Sequence, residues 1–163
     1  IYPALLAFMA AILVVEPAVP DDALLGDTFL TAGQTWLLVL VLTVWSFDTF
    51  AYLTGRTFKR GRFLNHISPN KTWSGVIGGT VAAVIIGGAL ASAAGQWFPG
   101  GLVMGLVVAV AGQAGDVAES MLKRTAGAKD SSNLIPGHGG ILDRTDSFLF
   151  AAPVVYAYLL LVA

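Results

Sequence analysis

The chain contains no cysteine, so no disulfide frame and no thiolate metal site can exist in it. Charge is scarce as well. Charged residues make up 12% of the sequence, against roughly 25% in soluble domains. There are two histidines, too few to make a zinc site a natural reading. No G-x-x-x-x-G-K-[ST] run is present, which excludes a P-loop nucleotide site. The formal net charge is −1, so the chain as a whole is not a nucleic-acid binder, which would need a basic surface to displace counterions. What remains is apolar: 56% hydrophobic residues and a mean hydropathy of +0.75. That composition predicts an all-α, polytopic membrane protein.

Five apolar segments can be drawn, from about Tyr2 to Val15, Gln34 to Leu53, Gly75 to Ala94, Gly101 to Leu122 and Phe148 to Ala163. A span needs roughly 20 apolar residues, which the three inner segments supply. The first and last are short. The chain opens on Ile1 rather than Met, so a piece of a longer chain, cut within or just before a helix, is expected. The first segment has no basic start, which argues for a span over a secretory signal. Small residues at Gly78, Gly79, Gly87, Gly88, Gly101, Gly105, Gly112 and Gly115 predict close helix packing in lipid. Trp36, Trp45, Trp73 and Trp97 fall near span ends or within a span, and those near ends read as interface anchors.

The bases are sorted by loop. Arg56, Lys59, Arg60, Arg62 and Lys71 lie between the second and third segments; Lys123, Arg124, Lys129 and Arg144 lie between the fourth and fifth. The loop after the first segment holds Glu16, Asp21, Asp22 and Asp27, and the loop from Gly95 to Gly100 holds no charge. The positive-inside rule then predicts five spans with both basic loops cytoplasmic. For Lys59, Arg60 and Arg62, setting topology and contacting a ligand are equally good readings.

Between Asp116 and Asp146 the character changes. Asp116, Glu119, Asp130, Asp143 and Asp146 alternate with four bases around a Pro136-Gly137-His138-Gly139-Gly140 turn. Ionisable clusters beside membrane helices mark function by default. In a helix Asp116, Glu119, Ser120 and Lys123 share one face, and Asp48 ends the second segment at the same depth. Ion pairing can account for one or two of these acids, such as Glu119 or Asp146. It is a poor account of the whole set, because unneutralised buried carboxylates are costly. Carboxylate oxygens combined with phosphate suit Mg²⁺. The glycine turn exposes backbone N–H groups of the kind that form anion nests. His138 could orient a phosphate, act as a base or bond within the turn. Thr72 or Asn70 could cap the third helix, leaving Lys71 to reach a phosphate.

Ser120, Lys123-Arg124, Lys129-Asp130, Pro136 to Gly140, Asp143-Arg144 and Asp146 resemble the signature of the phosphatidate cytidylyltransferase (CDP-diacylglycerol synthase) family. An upstream block of Asp48, Ala51-Tyr52, Gly55-Arg56, Ser68-Pro69, Lys71-Thr72 and Gly75 matches too. Ser74 and Ser132 depart from it, standing where many members carry Glu and Gly. The resemblance implies a metal centre on Asp116 and Asp143 that holds Mg²⁺ and a second cation, for which a monovalent ion such as K⁺ is one choice. It implies catalytic roles for Asp116, Asp143, Lys129, Asp130 and His138. Substrate binding would fall to Asp48, Arg56, Ser68, Lys71 and Thr72 in the first loop region. In the second it would fall to Ser120, Lys123, Arg124, Gly137, Gly139, Gly140, Arg144 and Asp146. The implied reaction moves a cytidylyl group from CTP to phosphatidate at the cytoplasmic face of a bacterial inner membrane, in a homodimer. The chain is then a single membrane-embedded catalytic domain, the C-terminal part of a longer family chain. A CTP-dependent lipid kinase and a membrane transport module are the other readings.

Overall fold

The computed structural model describes residues 2–14, 19–26, 29–63, 71–127 and 142–162. Side chains are described from residue 6 onward, and those of 142–144 and 162 are not. Five helices follow one another: α1 (Tyr2–Val14), α2 (Ala32–Phe58), α3 (Trp73–Ala93), α4 (Phe98–Thr125) and α5 (Leu142–Val162). These are the five expected segments, and among the described residues the sole β feature is an isolated Arg62–Thr72 bridge.

Local chemistry sets the ends. Thr31 and Gln34 form a capping box at the start of α2, Gln34 N–H donating to Thr31 Oγ1 at 3.3 Å and Thr31 N–H to Gln34 Oε1 at 2.9 Å. These bonds satisfy donors that a helix start leaves open. At the other end Lys59 turns left-handed, with φ of +47°, and its N–H donates to Gly55 O. Thr72 caps α3 by accepting from Gly75 N–H at 3.1 Å. Pro99 sits in the first turn of α4, where its missing N–H costs nothing.

Length matters for function. α2 has 27 residues and α4 has 28, so each extends about 40 Å at 1.5 Å per residue. A hydrocarbon core is about 30 Å thick. Both helices are therefore roughly two turns longer than that, and their C-terminal turns lie at the same end of the bundle. α2, α3 and α4 are each long and apolar enough to cross a membrane; α5 holds a shorter apolar stretch, Thr145–Leu161. α1 has 13 residues, about 20 Å of rise, which is shorter than a span.

Neighbouring helices alternate in direction and meet through small residues. A Cβ added to Gly79 would lie 2.7 Å from Phe47 O, and one on Gly105 would lie 2.9 Å from Val84 Cα. One on Gly115 would lie 2.7 Å from Asp146 O. Without a hydrophobic driving force in lipid, such close backbone approach is what holds helices together. The glycine expectation is met at α2–α3, α3–α4 and α4–α5. The core away from the polar end packs Ile12, Leu40, Met104, Val108, Val155 and Leu159 around Trp36. Trp36 is thus fully buried and is no interface anchor. Trp73 and Trp97 are exposed at helix starts, as anchors would be.

Candidate active site

The C-terminal turns of α2 and α4 and the start of α3 enclose a cavity of about 820 Å³. The loop that follows α2 is stitched back onto α3. Phe63 N–H donates to Lys71 O at 2.8 Å, and Trp73 N–H to Gly61 O at 3.1 Å. Gly61 takes φ of +64° to make that turn, a conformation open to glycine at no steric cost. Phe63 packs edge-on against Trp73 with ring centroids 4.7 Å apart. This stitch sets Arg62 and Lys71 side by side at the cavity rim.

Among the described residues the cavity is walled by Asp48, Tyr52, Arg56 and Lys59 of α2 and its cap, and by Arg62, Lys71 and Thr72 of the stitched loop. Gln113 and Asp116 of α4 complete the polar wall, and Gly55 and Gly75 form its floor. Four cations thus face two carboxylates. Lys71 Nζ makes an ion pair with Asp116 Oδ2. Asp48 lies within electrostatic reach of both Asp116 and Lys71. Arg56 is steered by Tyr52, donating from Nη1 to the phenol oxygen at 2.8 Å, with its Cζ 6.0 Å from the ring centroid. The floor is thin because Gly55 and Gly75 touch: a Cβ on Gly75 would sit 3.5 Å from Gly55 Cα and 2.8 Å from Ala51 O.

The structure divides the expected acidic face of α4. Asp116 faces the cavity, whereas Glu119 turns into the α4–α5 contact and is 1% exposed. There it pairs with Lys123 at 3.2 Å and neighbours Asp146. Asp146 is buried and accepts from Ser147 N–H at 2.7 Å. It is also within electrostatic reach of Asp116. Asp48, Asp116, Glu119 and Asp146 therefore gather at one end of the bundle, as two pairs. Ser120 is half-buried, and neither it nor Lys123 or Arg124 lines the cavity. The backbones of Asp143 and Arg144 fall in the first turn of α5; their side chains lie outside the described set. Ser68, Lys129, Asp130, Gly137, His138, Gly139 and Gly140 also lie outside the described residues. Thr72 lines the cavity, but its hydroxyl is engaged as the α3 cap and accepts from Ser74 Oγ at 3.2 Å as well.

Four polar cavity residues, Tyr52, Lys59, Arg62 and Gln113, are absent from the expected site. Lys59 and Arg62 read from sequence equally well as topology signals and as ligand contacts. Tyr52 belonged to the upstream motif without a role. Gln113 lies three residues before Asp116, one helical turn away, so spacing alone could have found it.

Among the described residues no three Asp, Glu or His side chains form a metal-ligand group. Asp48 and Asp116 offer carboxylate oxygens on adjacent walls, and Mg²⁺ commonly takes one or two carboxylates and completes its shell with phosphate and water. Asp116 already holds a cationic group, the Lys71 ammonium. The donor set is compatible with Mg²⁺ on that count.

A helical membrane bundle with a polyanion-sized cationic cavity at one end is the class of protein this geometry defines. The Cytidylyltransferase family model matches residues 2–162, and the chain belongs to that family. Phosphatidate cytidylyltransferase of Brucella abortus is 46% identical over 129 residues, covering 77% of this chain and 47% of that protein. The Synechocystis enzyme of the same name is 45% identical over 132 residues, covering 78% and 45%. That of Bacillus subtilis is 42% identical over 131 residues, covering 79% and 49%. The chain spans about half the length of the curated relatives it matches.

Proposed function

We propose that this chain transfers a cytidylyl group from CTP to phosphatidate, giving CDP-diacylglycerol and pyrophosphate. The observation that carries the reading is the cavity, in which Arg56, Lys59, Arg62 and Lys71 surround Asp48 and Asp116 at the membrane-edge end of the bundle. The relatives named phosphatidate cytidylyltransferase support it.

A phosphate-monoester oxygen of the lipid attacks the α-phosphorus of CTP. The new P–O bond forms as the bond to the β-phosphate oxygen breaks, and pyrophosphate leaves. The attacking oxygen is anionic at neutral pH, so no strong base is required. The barrier is repulsion between two polyanions. Fixed cations at the cavity wall remove it and stabilise charge on the leaving pyrophosphate. Lys71, tied to the stitched loop, and Arg56, steered by Tyr52, are the two best-oriented phosphate contacts. Mg²⁺, held by Asp116 with Asp143 and joined by a second cation such as K⁺, would neutralise phosphate charge and polarise the reacting P–O bonds.

The same reading makes the chain a single membrane-embedded catalytic domain with the cavity on the cytoplasmic side of a bacterial inner membrane, acting as a homodimer. The test is incubation of purified protein with α-labelled CTP, phosphatidate and Mg²⁺, with both products identified. CDP-diacylglycerol and pyrophosphate support the proposal. Release of CDP with a phosphorylated lipid would replace it with a kinase, and no nucleotide turnover would end it.

A further inference from the structure

Lys59, Arg60 and Arg62 are near neighbours in sequence, yet the structure sends them to different faces. Lys59 and Arg62 line the cavity described above. Arg60 lines a second space of about 340 Å³ on the opposite, outer face of the α2–α3 pair, walled by Thr54, Phe58, Trp73, Ser74, Ile77 and Gly78. The split falls at the left-handed Lys59 cap, whose φ is +47°. The two spaces are separated by contact between the helices: a Cβ on Gly78 would lie 2.7 Å from Thr54 Cβ, and Gly55 meets Gly75.

The backbone of Arg60 is held in place. Its N–H donates to Ser74 Oγ at 3.3 Å, and Ser74 N–H donates to Arg60 O at 3.3 Å. Thr54 Oγ1 donates to Ser74 O at 3.1 Å, closing the groove floor. Among the described residues no carboxylate lines the groove, and Arg60 has no ion pair there. Below Arg60, exposed Trp73, Ile77, Val81 and Ile85 repeat every fourth residue along α3. They make an apolar track of about 18 Å at 1.5 Å per residue, close to the length of an extended acyl chain. A cation at the head of an apolar track, beside an exposed tryptophan, is complementary to an anionic lipid of a bilayer.

We propose that the outer α2–α3 groove is a binding site for an anionic glycerophospholipid of the surrounding bilayer, with its phosphate on Arg60 and an acyl chain along Trp73 and Ile77. The bound lipid is separate from the molecule being converted, because the helix contact closes the path between groove and cavity. The site stands whether or not the transferase reading does, since its test uses neither CTP nor turnover.

The test is native mass spectrometry of the detergent-purified chain titrated with phosphatidylglycerol or phosphatidylethanolamine. Peptide mapping with a diazirine-bearing phosphatidylglycerol locates the adduct. Wild type is expected to bind the anionic lipid several-fold tighter, with adducts on the Trp73–Ile77 peptide. Arg60→Gln should weaken that binding about tenfold, the loss of one charge-assisted hydrogen bond. Ile77→Trp should reduce binding of both lipids by crowding the track. Equal affinity for the two lipids in wild type would overturn the proposal. So would unchanged affinity in Arg60→Gln, or adducts confined to other helices. Cross-linking of α3 to α3 of a second copy, with no lipid adduct, would overturn it too and assign the groove to a dimer contact.

Discussion

Lys71 is paired with Asp116 across the cavity, linking the stitched loop before α3 to the last turns of α4. The ammonium occupies the carboxylate at which a cation would bind. Were Asp116 to hold the proposed Mg²⁺, the metal would compete there with the Lys71 ammonium, and a metal that won would leave Lys71 available to a phosphate. Lys71→Met should then tighten Mg²⁺ binding in the absence of nucleotide, on the order of tenfold, because one opposing charge is removed. The same variant should weaken CTP binding. Isothermal titration of each ligand separately checks both signs. Weaker binding of both ligands would mean that Lys71 does not compete with the metal.

Asp116→Asn removes the charge that anchors both the ion pair and the proposed metal. Turnover should fall to background while the protein keeps its helicity and its elution volume in detergent. Circular dichroism and size exclusion check the fold, and product formation at saturating Mg²⁺ checks activity. Near-normal turnover would remove Asp116 from the centre.

The floor of the cavity depends on two glycines in contact. Gly75→Ala places a methyl group 2.8 Å from Ala51 O, against a backbone atom that cannot swing away. Overpacking of this kind costs about 1–3 kcal/mol, and the cavity should widen with it. Gly100→Ala is the comparison, since its Cβ would meet only Tyr158 OH, at 3.2 Å. Thermal unfolding in detergent should show a clear loss for the first and little change for the second.

Glu119 and Lys123 form a largely buried pair. Breaking such a pair from one side leaves a charge uncompensated and costs about 3–5 kcal/mol. Lys123→Met should therefore destabilise strongly, and adding Glu119→Gln should recover most of the loss. A double-mutant cycle on unfolding free energies measures the coupling; additive losses would show that the pair contributes little.

Topology is testable because the chain has no cysteine to give background labelling. Asp21→Cys and Arg60→Cys should react with an impermeant maleimide from opposite sides of the membrane. Arg60 serves better than neighbouring Gly61, whose φ of +64° a cysteine would strain. Reaction of both from one side would refute the alternating arrangement of the helices.

The five helices, their order and their glycine contacts were legible in the sequence. Segment length, absence of charge and small-residue spacing act locally, and lipid demands that each backbone satisfy itself within its own helix. The sorting of bases by loop was legible for the same reason. Spacing could also place Asp116, Glu119, Ser120 and Lys123 on one helical stripe. It could not say that α5 would press against half of that stripe, taking Glu119 inward with Asp146 and leaving Asp116 to the cavity. Nor could it separate Arg60 from Lys59 and Arg62, because which face each lines depends on how the loop after α2 is bonded back onto α3. Trp36 read as an interface anchor by position and became core because five helices converge on it. Composition and periodicity determine what each segment is; which side chains meet depends on contacts between segments, and those exist only once the bundle has closed.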